Sequence, residues 1–140
     1  MGNTPDGKVT KISPSRTVNN WWKKKMGYDN PPYKPGTTVK EIKLAKDTKY
    51  VRVYDGSGSG QKGGWLMKAE DIKGLTPKQI QNKYALPTTP KYVSDVTIPK
   101  GTTVRTGTAN GVDGWGAGGG KQYDLMGQRI GKFTNERPLP

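Results

Sequence analysis

Tyr92-Val93-Ser94-Asp95-Val96-Thr97-Ile98-Pro99-Lys100-Gly101-Thr102-Thr103-Val104-Arg105-Thr106-Gly107-Thr108 is the stretch that decides the fold class. Two runs rich in β-branched residues flank Pro99-Lys100-Gly101, where proline presets one turn dihedral and glycine admits a left-handed one. It reads as strand, turn, strand. Upstream, Thr76-Pro77-Lys78-Gln79-Ile80-Gln81-Asn82-Lys83-Tyr84 starts like a helix, with Thr76 at the N-cap and Pro77 at the first helical position. Helices among strands joined by short turns predict an α+β domain with short N-terminal helices and a curved, mostly antiparallel sheet.

Further towards the N-terminus, Thr48–Tyr54 and Thr37–Leu44 are two more strand-like runs. Gly56–Gly60 reads as a flexible loop before Gly63-Gly64-Trp65-Leu66-Met67, and residues 68–73 fit one turn of helix stopped by Gly74. Asn30–Gly36 holds three prolines and must be an extended turn. Asn19 to Gly27 fits a short helix capped by Asn19 and ended by Gly27. Residues 1–17, polar and without periodicity, read as a flexible lead-in to a single domain spanning 18–140. Towards the C-terminus the glycine-rich loop Gly111–Gly120 leads into Gln122-Tyr123-Asp124-Leu125-Met126, and Phe133–Pro140 is a short tail closed by proline.

The 140 residues carry 24 Lys+Arg against 11 Asp+Glu, a formal net charge of +13, with no histidine and no cysteine. That excludes disulfide scaffolds, cysteine-ligated or imidazole-ligated metal sites, and Ser-His-Asp or Cys-His catalysis. No apolar run reaches the roughly 20 residues that a membrane-spanning helix needs. The charge favours a polyanionic partner, either nucleic acid or an acidic protein.

Within this frame a few residues are placed to do chemistry. Arg52 and Arg105 fall inside strand-like runs, on the face opposite their apolar neighbours, where a guanidinium facing a cleft would grip phosphate bidentately. Gly118-Gly119-Gly120 can bring backbone amides close to a phosphate, and Lys121, Gln122 and Tyr123 follow at once with a cation, an amide and a phenol. Trp115, on the same loop with no evident core to join, is placed to stack on a base. A histidine-free enzyme still has arginine, lysine, tyrosine and carboxylates with which to move protons and stabilise charge.

The run Gly63-Gly64-Trp65 through Leu75–Pro87, continuing through Pro90, Val96, Pro99–Thr102 and Gly118–Tyr123, resembles the C-terminal toxin domains of bacterial polymorphic toxins. The contact-dependent growth inhibition (CdiA-type) effectors are the group it is most similar to, over roughly residues 28–140. The resemblance implies an effector carried on a secreted or cell-surface protein, active in the target-cell cytoplasm. A cognate, acidic immunity protein would neutralise it.

For activity, the resemblance implies a histidine-free ribonuclease of the barnase/EndoU/colicin/RelE-like kind that cleaves tRNA, in some members together with elongation factor Tu. Arg52 and Arg105 would then neutralise the scissile phosphate, and Thr106, Thr108, Gln122 and Tyr123 would orient the ribose and move protons. Lys83 would be a further cation, Trp115 would stack a base, and no metal or cofactor is expected. The alternative is a likeness to NAD glycohydrolases related to ADP-ribosyltransferases, which carry an arginine on an early strand and a glutamine after a triple glycine. Here Arg52 would hold the diphosphate and Gln122 would sit at the nicotinamide ribose, with Val51-Arg52-Val53-Tyr54-Asp55 standing where that family has Asp-Arg-Tyr/Phe-Gly. Both alternatives require Arg52 and Gln122 to converge in one cleft.

Overall fold

The strands on either side of Pro99-Lys100-Gly101 do not pair with each other. In the computed structural model, which describes residues 2–140, the chain runs β1 (Gly7–Pro14), α1 (Ser15–Met26), β2 (Thr38–Leu44), β3 (Thr48–Tyr54) and β4 (Trp65–Leu66). A 3₁₀ turn at Ala69–Asp71 precedes α2 (Pro77–Tyr84), β5 (Tyr92–Ile98), β6 (Thr103–Thr108), β7 (Lys121–Asp124) and β8 (Lys132–Pro138). β5 belongs to a three-stranded sheet ordered β3-β5-β8, and β6 to a five-stranded sheet ordered β1-β2-β6-β7-β4. Every pairing is antiparallel, so the fold is α+β with the strands divided between two sheets. The turn carries the chain from one sheet to the other, tied to the end of β2 by Gly101 N–H to Leu44 O at 2.9 Å and Leu44 N–H to Thr102 O at 2.9 Å.

The two sheets face each other across the main core. The large sheet contributes Val9, Ile42, Leu44, Leu66, Val104 and Tyr123, and the small sheet contributes Tyr50, Val96 and Ile98. Burial of each of these side chains is worth about 1.5–3 kcal/mol, which makes this seam the main adhesive of the fold. The other face of the small sheet packs Val51, Val53 and Val93 against Ile80 and Tyr84 of α2. α2 begins as its sequence predicts: the Thr76 hydroxyl accepts from Gln79 N–H at 3.2 Å while the Gln79 side chain accepts from Thr76 N–H at 2.8 Å, with Pro77 in the first turn.

The lead-in and the tail depart from expectation. Of residues 1–17, Met1 lies outside the described residues, Gly7–Pro14 pair with β2, and Ser15–Thr17 open α1. β1 is an edge strand that buries Val9 while Lys8, Thr10 and Lys11 stay exposed, so its composition conceals its pairing. β8 is an edge of the three-stranded sheet, largely exposed, and Phe133–Pro138 of the expected tail pair with β5. α1 starts at Ser15, after Pro14, so Asn19 lies inside the helix and caps nothing: its side chain donates to Tyr33 O at 2.9 Å and accepts from Tyr33 N–H at 3.0 Å. Gly27, at φ 71°, ends the helix as read.

Buried phenols make the fold sensitive to alkali. Tyr50 and Tyr123 pack 4.8 Å apart in the main core, and burial is the first cause that raises both; Tyr123 is pushed up to about 12. An acid whose folded pKa lies above its unfolded value of 10.0 holds its proton longer in the folded state. That stability is complete below pH 10 and is lost as pH rises toward 12. The urea midpoint is expected to fall steadily across that window, with tyrosinate absorbance rising in step with unfolding. A midpoint unchanged to pH 12 would show that these phenols ionise freely.

Candidate functional site

Period-two alternation sends the side chains of β7 to opposite sides. Tyr123 points into the inter-sheet core, while Gln122 and Asp124 stand on the other face beside Gly107 and Arg105 of β6. α1 and the segment after it cover that face with Val18, Trp22 and Tyr33, packed with Val39 of β2 and flanked by Trp21, Tyr28 and Trp65. Beneath them Arg105 (4% exposed) forks onto Asp124 (0% exposed), with Nε 3.0 and 3.2 Å from the two carboxylate oxygens and Nη2 3.0 Å from Oδ1. The Tyr33 hydroxyl donates to Asp124 Oδ2, and the Trp21 ring lies 4.5 Å from the guanidinium carbon. Burial, followed by the Asp124 charge, holds the Tyr33 phenol well above its ordinary range, so it remains a donor. Arg105 therefore anchors α1 and the Tyr33 segment to the sheet, sealed from any ligand.

Where the two sheets part, a cleft of about 490 Å³ opens, within the size range of small-molecule sites. Arg52, Gln122 and Trp115 all line it, together with the Asn30-Pro31-Pro32 turn, Tyr54 and Trp65. Arg52 donates from Nε to Gly60 O at 3.0 Å and from Nη1 to Trp65 O at 3.2 Å, and it forms no ion pair among the described residues. Burial lowers its guanidinium from the ordinary value, the mark of a charge that an arriving anion would stabilise. Gly63 makes room for it: a β-carbon there would overlap the guanidinium. Gln122 donates from Nε2 to Pro32 O at 2.8 Å, which locks the amide plane, and Oε1 accepts nothing from the described residues. One cation, one oriented amide and aromatic walls can bind a molecule that carries both phosphate and flat rings.

The remaining residues singled out in the sequence stand elsewhere. Thr106 is buried with its hydroxyl on Gln122 O at 3.0 Å, and Tyr123 is packed on Tyr50. Thr108 pairs with Lys121 at the end of β6, and exposed Lys121 lies 5.6 Å over the Tyr123 ring. Lys83 donates to Asp71 O at 2.6 Å. The amides of Gly118, Gly119 and Gly120 go to Asn82 O, Ala109 O and Lys83 O at 2.9, 2.9 and 3.0 Å. The phosphate cradle read from the triple glycine is thus a docking loop, glycine-rich because it lies against α2. A β-carbon on Gly120 would sit 2.7 Å from the Tyr84 ring and 2.8 Å from Lys83 Cγ.

The sequence does not reveal Gly63 and Pro32 as neighbours of the cleft residues Arg52 and Gln122. Asn30-Pro31-Pro32 registers only as a turn, and the polar role of its carbonyl is invisible until Gln122 is brought against it.

No protein-family model matches the chain, and no curated protein matches it by sequence. Solved structures share its fold. Rhs1-CT in complex with its cognate immunity protein RhsI1 is similar with a TM-score of 0.66 at 14% identity, over 91% of this chain and 96% of that one. Tne2 in complex with Tni2 is similar with a TM-score of 0.59 at 17% identity, over 77% of this chain and 98% of that one.

Proposed function

We propose that this chain is an antibacterial toxin domain, held in check by a cognate immunity protein, that hydrolyses the nicotinamide–ribose bond of NAD. The observation that carries the activity is the convergence of Arg52, Gln122 and Trp115 on one cleft while Arg105, Thr106 and Tyr123 lie buried outside it. The fold likeness to Rhs1-CT, a protein solved with its cognate immunity protein, supports the toxin setting. Delivery into a target-cell cytoplasm belongs to the same reading.

The chemistry suits a site without histidine. In NAD the nicotinamide ring nitrogen is cationic, so the C1′–N bond breaks with its electron pair passing to that nitrogen, neutral nicotinamide departs and no acid is needed. A water oxygen bonds to C1′ and its proton passes to solvent, giving ADP-ribose and nicotinamide. Arg52 neutralises the diphosphate and fixes the ribose end of the substrate. Gln122 Oε1 presents the negative end of a fixed amide dipole to the developing ribosyl cation, the complement of an oxyanion hole. Trp115 supplies a ring face for one of the two bases.

The test incubates the domain with NAD and, in parallel, with total tRNA. Nicotinamide release with intact tRNA is the expected result. The net charge of +13 favours a second reading, tRNA cleavage, in which the basic surface binds the phosphate backbone. RNA fragments without nicotinamide would establish that one and overturn ours. A finer check is Gly63→Ala: the new methyl would overlap the Arg52 guanidinium and push it off the Gly60 and Trp65 carbonyls, so the melting temperature is expected to fall by a few degrees while KM for NAD rises about 10-fold through lost charge-assisted hydrogen bonds. An unchanged KM would remove Arg52 from the diphosphate.

A further inference from the structure

Arg52 is held by two backbone carbonyls, and one of them, Gly60 O, belongs to a loop of glycines and serines with little conformational preference of its own. What folds that loop is Asp55, the residue after β3. Its Oδ1 accepts Ser59 N–H at 2.8 Å, Ser57 N–H at 3.0 Å and the Ser59 hydroxyl at 3.2 Å. Gly56 N–H closes the turn on Ser59 O at 2.9 Å, and Asp55 N–H meets Ser59 Oγ at 3.1 Å. Oδ2 accepts the Thr88 hydroxyl at 2.7 Å, and Thr88, like Asp55, lines the cleft. Both carboxylate oxygens are thus engaged in shaping the cleft, and among the described residues neither is paired with a cation.

We propose that Asp55 is the positioning residue of the phosphate subsite: by folding residues 56–60 it places the Gly60 carbonyl, which aims the Arg52 guanidinium at an incoming nucleoside diphosphate. The proposal rests on the dinucleotide reading of the cleft. The Thr88 hydroxyl and the Ser59 and Ser57 amides hold the Asp55 carboxyl well below the usual carboxylate range, so the loop keeps its brace through mildly acid conditions. With Asp55→Asn the side chain would still accept the loop amides through its carbonyl oxygen, whereas Asp55→Ala would release the loop.

The experiment titrates ADP-ribose into wild type, Arg52→Ala, Asp55→Ala, Asp55→Asn, Ser59→Ala and the Arg52→Ala/Asp55→Ala double variant, and follows NAD turnover for each. Asp55→Ala is expected to weaken ADP-ribose about 10-fold, to raise KM alike and to leave kcat within about 3-fold, because the interaction is equal in ground and transition states. Asp55→Asn restores most of the affinity, and the double variant binds no worse than Arg52→Ala, since the two residues act as one unit. Should Asp55→Ala fail to fold, Ser59→Ala carries the same test with an expected weakening of about 3-fold. A folded Asp55→Ala or Ser59→Ala variant with wild-type affinity, or a loss that adds in full to Arg52→Ala, overturns the proposal while leaving NAD hydrolysis standing. A wild-type protein that neither binds ADP-ribose nor consumes NAD overturns both.

Discussion

Asp124→Ala is expected to unfold the protein or to bring it to the edge of unfolding. The substitution leaves the Arg105 guanidinium, 4% exposed, without its carboxylate and strands the Tyr33 hydroxyl that donates to Asp124. Breaking one half of a buried ion pair costs about 3–5 kcal/mol, because the surviving charge can be neither hydrated nor paired. Domains are stable by only about 5–15 kcal/mol in total, so this loss is a large share of the whole. The same reasoning predicts a rescue. Arg105→Met combined with Asp124→Leu and Tyr33→Phe removes every polar side chain of the cluster at once, leaving only the Met126 N–H that donates to Asp124 Oδ1 at 2.8 Å to find water, and replacing such a set by apolar side chains of similar volume is often neutral. Urea denaturation followed by tryptophan fluorescence measures both, since Trp21 and Trp22 lie 4.5 and 5.3 Å from the Arg105 guanidinium carbon. An Asp124→Ala protein as stable as wild type would mean that water reaches Arg105.

Gln122→Ala is expected to reduce kcat for nicotinamide release by about 10²–10³-fold, the effect of removing one preorganised dipole from a developing charge. KM should change little, because the interaction grows only as the C1′–N bond breaks. Stability should fall by only about 1 kcal/mol, for the hydrogen bond from Nε2 to Pro32 O. The contrast with Asp124 is instructive, for the two residues are separated by one position on the same face of β7. One is sealed under Trp22 and Tyr33, while the other borders the cleft. A Gln122→Ala variant that releases nicotinamide at the wild-type rate would place the reacting carbon elsewhere.

The local elements were legible in the chain wherever residue chemistry acts over a few positions. The capping box at Thr76, the left-handed Gly27 and the β-branched runs at 48–54, 92–98 and 103–108 each dictate their own backbone. The terminal edge strands β1 and β8 were not legible, because a strand that pairs on one side and keeps most of its residues exposed needs no apolar pattern. The absence of histidine and the excess of lysine also stand as read, and they restrict the acid–base repertoire whichever substrate is taken.

Arg52 and Arg105 show where that legibility stops. Each sits in a β-branched strand with its apolar neighbours turned the other way, and nothing local tells them apart. Alternation by two states which residues share a face, but what covers a face depends on contacts distant in sequence. α1 and Tyr33 close over Arg105 and supply it with Asp124, while the parting of the two sheets leaves Arg52 beside open space with only carbonyls to hold it among the described residues. Local sequence determined the strands, the helix starts and the charge. Which arginine was buried against a carboxylate and which was left lining the cleft was decided only by tertiary packing, because burial and pairing, not residue type, set the free energy of a charge.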